Sequence, residues 1–376
     1  MEKFYCAAPW RGLHVNPRGD VKTCCAGDPN MLGNLNEHTI EEILQGPVMH
    51  EIRRSLRQGQ PHAQYCYNCV QAERYGRSER DWHNSVSPEF DCGTASDREH
   101  VPTLIDVRWN TTCNLSCNYC GDMCSSKWAA LKYIPFKSGA RPYLDQVCDY
   151  LQQHQSSIKE VALVGGEPLL LPENELILDV IPAQATVTLI TNASVDFERN
   201  RIVAKLFARP NVGWSMSFDN VGARFEYVRH GATWSQLEHN VGLIRSRFDQ
   251  AHRGGVHAVY NIYNATRLTE LIDWAKAQSL HTQWQSLYQP ECLDPLKHQP
   301  AIRELAVEQL ELVLSRPDLT DSERSFFEQA HRNFQTAPVM DLGTELRQHI
   351  QDIENLYHKD QTGKFAELWP EISSRL

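Results

Sequence analysis

Short apolar runs alternate with longer amphipathic stretches between about residue 103 and residue 298. Such short, β-branched runs are typical of parallel strands whose two faces are both covered. The runs are LIDVRW (104–109), EVALVG (160–165), TVTLIT (186–191), VGWSMSF (212–218), VHAVYNIY (256–263) and HTQWQSLY (281–288). The pattern therefore predicts six strands.

Apolar residues at helical spacing lie between these runs. Two clear stripes are Leu144, Val147, Cys148 and Leu151, and Leu237, Val241, Ile244 and Phe248. Alternating strands and helices predict an α/β fold with a parallel sheet. Six strands are too few for a closed eight-stranded barrel, so we expect a partial (β/α)6 barrel or a doubly wound sheet. In both arrangements the functional residues lie at the carboxyl ends of the strands.

The regions on either side of this α/β segment have different patterns. Residues 87–102 are polar and contain Gly, Pro and Ser, as a linker does, and only helix patterns follow residue 299. We therefore predict four parts. They are an N-terminal domain (1–86), a linker (87–102), the α/β domain (103–298) and a C-terminal helical tail (299–376).

The N-terminal domain contains its own turn and helix signals. The segment HVNPRGDVKTC (14–24) predicts a hairpin that turns at NPRGD. Further on, Thr39 precedes Glu42 by three residues at the start of an apolar stripe, which predicts a helix N-cap with a capping box.

Composition limits the classes of partner. The chain has 376 residues, with 47 acidic and 37 basic side chains and a formal charge of −10. This acidic balance disfavours nucleic acid as a partner. No apolar run approaches the roughly 18 residues of a membrane span, and the N-terminus lacks a signal-peptide h-region. We expect a soluble, cytoplasmic protein with no membrane partner.

Nine of the twelve cysteines fall into two groups, one between residues 6 and 69 and one between residues 113 and 124. In a reducing compartment such groups indicate metal binding rather than disulfides. The first group contains Cys6, Cys24, Cys66 and Cys69, which we call the N-terminal tetrad. The second contains Cys113, Cys117 and Cys120, which we call the cysteine triplet.

The cysteine triplet lies just after the first predicted strand of the α/β domain. Three thiolates at this spacing can hold a cubane iron–sulfur cluster, which leaves one of its four irons open to an outside ligand. A zinc site is the alternative, with Cys124 or a histidine as the fourth ligand.

The triplet resembles the signature of the radical S-adenosylmethionine (SAM) enzymes, Cys-x3-Cys-x2-Cys with an aromatic residue before the last cysteine. Tyr119 occupies the aromatic place. The resemblance implies a [4Fe–4S] cluster whose open iron binds SAM, and reductive cleavage of SAM to a 5′-deoxyadenosyl radical. It also implies an electron donor of the flavodoxin or ferredoxin type. Cys124 is then a packing residue, because a fourth ligand would block SAM.

Other motifs of that family follow the next strands. VGGEP contains Gly165, Gly166 and Glu167, and resembles the GGE motif in which the glutamate accepts the SAM ammonium group. A tight turn with a solvated glutamate is the alternative. TNA, with Asn192, stands where relatives often have Thr-Asn-Gly. These four residues are predicted to bind SAM.

The later strands supply further candidates for the SAM pocket. SFDN resembles the family's Ser-x-Asp-Gly, which implies that Ser217 contacts the SAM ribose or carboxylate. The resemblance also assigns Arg229 to the SAM carboxylate, although an ordinary surface arginine is the alternative. Asn264, after the fifth strand, is a weaker candidate.

The N-terminal tetrad resembles the SPASM and twitch domains, which hold auxiliary clusters in radical SAM enzymes. Four thiolates predict a closed site for a second [4Fe–4S] cluster, with structural zinc as the alternative. In most relatives this domain follows the barrel, whereas here it precedes it. This order, together with HKDQTGKFAELWPEI (358–372), resembles the proteins with an N-terminal twitch domain. Cys25 is predicted to be a bystander.

The resemblance implies two possible reactions. If the auxiliary cluster accepts the electron of the substrate radical, the outcome is oxidation of a peptide or a small polar metabolite. If Cys292, beyond the sixth strand, returns a hydrogen atom, the outcome is epimerisation, although a bystander loop cysteine is the favoured interpretation. A zinc-binding interaction module is the non-enzymatic alternative.

Overall fold

The computed structural model describes residues 4–73, 79–88, 90–95, 101–135, 143–248, 254–287, 289–357 and 363–376. The chain forms two compact units. The first comprises Met1–Thr112, Lys137–Leu189 and Arg201–Val212, and the second comprises Cys113–Phe136, Ile190–Asn200 and Gly213–Leu376. The units interleave along the chain, and the domain boundaries predicted from the sequence remain predictions.

The described residues form eight strands. They are β1 Gly12–Val15, β2 Val21–Lys22, β3 Leu104–Val107, β4 Glu160–Leu163, β5 Thr186–Thr191, β6 Val212–Ser217, β7 Gly255–Tyr260 and β8 His281–Ser286. The six strands β3 to β8 lie at the six predicted positions. The predicted α/β class, with parallel strands separated by helices, is confirmed.

Helices occupy the segments between the strands and the C-terminal region. They are α1 Ala8–Arg11, α2 Ile40–Leu44, α3 Pro47–Arg57, α4 Tyr67–Glu73, α5 Glu79–Ser85, α6 Ser126–Leu131, α7 Leu144–Gln153, α8 Pro172–Val180, α9 Arg201–Phe207, α10 Gly222–Val228, α11 Trp234–Arg247, α12 Leu268–Ala277, α13 Pro300–Leu314, α14 Asp321–Thr336, α15 Gly343–Tyr357, α16 Phe365–Leu368 and α17 Pro370–Ser373. No helix in the described segments has the length and apolar character that a membrane crossing needs.

In the first unit the strands are ordered β2-β1-β3-β4-β5. The predicted hairpin is confirmed, since β1 pairs antiparallel with β2. Its turn contains Gly19, whose φ of +87° is a conformation that favours glycine. The other pairs, including β1 with β3, are parallel. The pairing of β1 with β3 was not predicted, because no local pattern indicates a partner so distant in sequence.

The strands of the first unit have one apolar and one polar face. In β4 and β5, Val161, Leu163 and Val187 are fully buried, whereas Ala162 and Thr188 between them are only half-buried. The second face of these strands is therefore less buried than the first, but its residues are still partly covered.

The first unit also confirms the predicted capping box. Thr39 accepts a hydrogen bond from Glu42 N at 3.1 Å, and the Glu42 carboxylate accepts one from Thr39 N at 2.9 Å. Part of the predicted linker packs in this unit as well. Arg57 donates to the carbonyls of Cys92 and Ala95, and Cys92 is buried beside Trp10.

In the second unit, β6, β7 and β8 are parallel and adjacent in that order. The predicted helical tail is confirmed, because the described residues after β8 form helices and no strand. Helices α13 and α14 pack against α12 and β8. Their core includes Ile272, Leu310 and Phe327, which are fully buried.

Candidate metal and cofactor sites

Helix α6 holds the loop that carries the cysteine triplet. The Ser126 hydroxyl accepts a hydrogen bond from Cys113 N at 3.1 Å, and the indole of Trp128 donates to Cys117 O at 2.9 Å. Ser125, the N-cap of α6, donates from its hydroxyl to a carbonyl in the same loop. Side chains from the first turn of one helix therefore fix the loop at both ends.

Two of the triplet thiols, those of Cys117 and Cys120, lie in surroundings that oppose their ionisation. Cys117 is buried, whereas Cys113 and Cys120 are half-buried. Burial raises the pKa of Cys117, and the nearby Arg229 opposes that shift. A hydrogen bond with Cys124, together with burial, raises the pKa of Cys120. Cys117 and Cys120 are therefore protonated when no metal is bound, and metal binding to their thiolates would release these protons.

In the first unit, the GGE motif is bound to the backbone that immediately precedes the triplet. Glu167 N donates to Thr112 O at 2.8 Å. A Cβ on Gly166 would lie 2.3 Å from that same carbonyl, so only glycine fits there. Gly165 has a φ of +146°. The Glu167 side chain is buried and accepts a hydrogen bond from Leu169 N at 3.1 Å.

Asp219 is the centre of a buried polar network in the second unit. Its Oδ2 accepts from the hydroxyl of Tyr119 at 2.6 Å and lies 3.1 Å from Arg229 Nη2, and its Oδ1 accepts from Val259 N at 2.7 Å. Arg229 Nη1 donates to Cys117 Sγ at 3.9 Å. Burial alone lowers the pKa of Arg229, but Asp219, Tyr119 and Cys117 together outweigh burial and raise it. The guanidinium is therefore a permanent cation next to the triplet.

The TNA segment also reaches the triplet. Asn192 Nδ2 donates to Asn114 Oδ1 at 2.9 Å and to Cys113 Sγ at 3.8 Å. Ala193 has a φ of +51°, a conformation that glycine adopts more easily, and it stands where relatives carry glycine. Asn240 donates to Ala193 O at 2.8 Å and holds this strained residue in place.

The other two SAM-pocket candidates differ in their surroundings. Ser217 is the last residue of β6 and is half-buried on its polar face. The Asn264 amide donates to Val259 O at 2.8 Å and accepts from Asn261 N at 3.0 Å. Asn264 is fully buried and its amide bonds the backbone, which is the environment of a loop-stabilising residue. The assignment of these two residues to SAM remains a prediction.

The four thiols of the N-terminal tetrad line one pocket in the first unit. Burial, together with the neighbouring thiols, raises the pKa of Cys24 to about 12 and that of Cys66 to about 11. The thiols are therefore close enough to influence one another, which fits a shared metal group. No three His, Cys, Asp or Glu side chains in the described residues converge tightly enough to hold a single ion.

His83 lines the same pocket and was not predicted from the sequence. It lies on α5, is only 3% exposed, and its Nδ1 has no hydrogen-bond partner among the described residues. Burial lowers the pKa of His83 to about 3, and Arg11 and His14 add to that shift. A histidine in a polar helix sequence such as ERDWHNS carries no signal that its ring is buried.

The neutral state of His83 predicts an acid-sensitive protein. Because its folded pKa is below the unfolded value of 6.5, its stabilising effect is present above pH 6.5 and is lost as the pH falls towards 3. At about pH 5.5, this one group should lower the free energy of unfolding by about 1.4 kcal/mol. Urea unfolding of the wild type and of His83→Leu at pH 7.5 and pH 5.5 measures this change in the free energy of unfolding. An equal loss of stability in both proteins contradicts this assignment.

A second cluster that the sequence did not indicate lies on the polar face of β1 and β3. His14 Nδ1 is 2.9 Å from Asp106 Oδ2, and Arg108 donates to both Asp106 oxygens at 3.2 and 3.1 Å. Burial alone raises the pKa of Asp106, but His14 and Arg108 outweigh it and lower the pKa to about 2. Because side chains alternate between the two faces of a strand, LIDVRW places Asp106 and Arg108 on one face. The partner strand that contributes His14 is not apparent from the sequence.

Cys292 lies in a short 3-10 turn, Glu291–Leu293. It is 9% exposed and belongs to an apolar core that includes Tyr263 and Trp369. Burial raises its pKa. These are the surroundings of a packing residue, and its catalytic role remains a prediction.

Comparisons with known proteins address the family. Residues 6–70 match the family model SPASM, described as an iron–sulfur cluster-binding domain. A segment of 88 residues is 33% identical to 7-carboxy-7-deazaguanine synthase of Clostridium acetobutylicum, and it covers 23% of this chain and 36% of that protein. The match therefore spans about a third of the length of this curated relative.

Solved structures with a similar fold were also found. Native anSMEcpe with bound AdoMet has a TM-score of 0.40 and 18% identity over 55% of this chain and 58% of its own. Streptococcus suis SuiB has a TM-score of 0.41 and 13% identity over 74% of this chain and 64% of its own. The SPASM match and the curated relative support the resemblance predicted from the sequence: residues 6–70 match a SPASM iron–sulfur cluster-binding domain, and part of the chain is similar to 7-carboxy-7-deazaguanine synthase.

Proposed function

We propose that this chain is a radical SAM enzyme with two [4Fe–4S] clusters. The cysteine triplet holds one cluster and leaves an iron open for SAM, and the N-terminal tetrad holds a closed second cluster. When bound, the first cluster supplies the electron that cleaves SAM to the 5′-deoxyadenosyl radical, which abstracts hydrogen from the substrate.

The difference in ligand number between the two cysteine sites is the observation that carries this proposal. Three thiols lie on one loop that α6 fixes, whereas four thiols line one pocket around a different centre. A site with three protein ligands can bind a small molecule at its fourth position, and a site with four can only carry electrons or stabilise the fold.

The chain's own residues supply the SAM contacts in this proposal. Glu167 accepts hydrogen bonds from the SAM ammonium, and Gly166 keeps the backbone free of a side chain beside it. Tyr119 and Asn192 flank the triplet, and Ser217 contributes its hydroxyl from the end of β6. The support for these roles is that Asn192 Nδ2 donates to Cys113 Sγ at 3.8 Å and that Tyr119 directly precedes Cys120 in the chain.

The reaction we propose is a net oxidation of a peptide or a small polar molecule. After hydrogen abstraction, the second cluster would take up the electron that the substrate radical loses together with a proton, and a donor of the flavodoxin or ferredoxin type would reduce the triplet cluster. The half-buried polar faces of the strands support a polar substrate, since Thr188, Ser215 and Ser217 alternate with buried apolar residues. Epimerisation through Cys292 is the less favoured alternative because its thiol is packed in an apolar core.

Measurement of SAM binding tests this proposal. Glu167→Ala should weaken SAM binding by about 10- to 100-fold without loss of iron, because a hydrogen bond to a charged group is worth about 1.5–3 kcal/mol. Glu167→Gln is the matched variant, because it keeps an acceptor for Leu169 N but removes the charge. Equilibrium dialysis of the reconstituted proteins gives the affinities. Unchanged SAM affinity in Glu167→Ala would show that GGE here is only a turn.

A further inference from the structure

The guanidinium of Arg229 faces Cys117, a cysteine of the triplet, rather than solvent. The side chain is 6% exposed and its carboxylate partner Asp219 is 1% exposed. Two of its nitrogens, Nε and Nη2, face Asp219 at 3.2 and 3.1 Å, and Nη1 faces Cys117 Sγ at 3.9 Å. The same guanidinium also contacts the hydroxyl of Tyr119.

Asp219 fixes this arrangement because all of its acceptor capacity is used. Its Oδ1 is bound to the backbone of Val259, and its Oδ2 is shared by Tyr119 and Arg229. A buried ion pair of this kind is costly to separate, since one partner would be left as an uncompensated charge. The cation therefore has a fixed direction, with Nη1 turned towards Cys117.

We propose that Arg229 is a positioning residue for the triplet cluster, whose N–H···S hydrogen bond to Cys117 raises the reduction potential of that cluster. Hydrogen bonds to cluster sulfurs and nearby charge are among the factors that set the potential of an iron–sulfur centre. A cation fixed at the thiolate stabilises the reduced, more negative cluster. The inference rests on the proposed function, because it requires a cluster at the triplet.

This role differs from the SAM-carboxylate contact that the sequence predicts for Arg229. Arg229 carries five N–H donors. Nε, Nη2 and Nη1 all donate within the network to Asp219, Tyr119 and Cys117. A two-pronged contact with the SAM carboxylate through Nη1 and Nη2 would compete with Cys117 and Tyr119 for these nitrogens. If Arg229 acts on Cys117, its replacement changes the potential of the triplet cluster even without SAM. If Arg229 only binds the SAM carboxylate, its replacement leaves that potential unchanged.

Two variants with opposite charge effects test the inference. Arg229→Met removes the cation and should lower the midpoint potential of the triplet cluster. Asp219→Asn leaves the cation uncompensated and should raise it. The potential is measured by EPR-monitored titration of the holoprotein without SAM, and the triplet signal is identified as the one that changes when SAM is added. Arg224→Met, which breaks an ion pair with Glu270 elsewhere in the second unit, is the control and should leave the potential unchanged.

The outcomes separate this inference from the proposed function. Opposite shifts in Arg229→Met and Asp219→Asn support the role of Arg229. Shifts in the same direction, or none, overturn it, and loss of SAM binding with an unchanged potential would assign Arg229 to the SAM carboxylate instead. If wild type assembles no cluster at the triplet, the proposed function itself fails. Arg229→Lys provides a second test. A lysine keeps the positive charge but cannot donate hydrogen bonds to Asp219 and Cys117 at the same time.

Discussion

Replacement of Cys113, Cys117 and Cys120 together by alanine should lower the iron content of anaerobically reconstituted protein from about eight to about four per chain. The triplet loop contributes the only three thiolates of its cluster in our proposal, so no partial site remains. The same variant should produce no 5′-deoxyadenosine, because the open iron is lost with the cluster. Iron and acid-labile sulfide assays give the stoichiometry.

The matched control for this experiment is Cys148→Ala. Cys148 lies half-buried on α7 and has no part in either site, so this variant should keep about eight irons. If the triplet variant keeps all its iron, the triplet is not a cluster site, whatever its spacing.

Replacement of Cys66 and Cys69 together should have the complementary effect. The variant should lose about four irons, because two of four ligands of the closed site are gone, yet it should still cleave SAM. The triplet loop is held by α6 and depends on no cysteine of the tetrad. Retained SAM cleavage with loss of the second iron signal is the expected result.

Loss of SAM cleavage in the Cys66 and Cys69 variant would change the role of the second cluster. If the Cys66 and Cys69 variant keeps the triplet iron but no longer cleaves SAM, the second cluster takes part in SAM cleavage rather than in a later electron transfer. Circular dichroism and a single Cys24→Ser variant show whether the first unit has kept its fold. Cys24 is a suitable single site because it lines the same pocket.

Much of the fold could be predicted because its signals are local. The strands β3 to β8 appear as short apolar runs, the hairpin as a turn sequence, and the capping box as Thr39 and Glu42. The cysteine triplet and the pair Cys66 and Cys69 stand out for the same reason, since cysteines at short spacing are visible without a structure, and their role as metal ligands remains a prediction.

The remaining features depend on contacts between residues that are far apart in sequence. The parallel pairing of β1 with β3 brings His14 to Asp106, and no periodicity in either strand indicates the other. The burial of His83 depends on tertiary packing that its polar helix does not reveal. The contact of Arg229 with Cys117 likewise needs Asp219, which only the fold places between them.

Release of 5′-deoxyadenosine tests the central claim most directly. Reconstituted protein reduced with dithionite and given SAM should form 5′-deoxyadenosine and methionine in equal amounts, slowly even without a substrate, and the triplet variant should form neither. A reduced protein that holds its full iron content and binds SAM, yet releases no 5′-deoxyadenosine, would contradict the account.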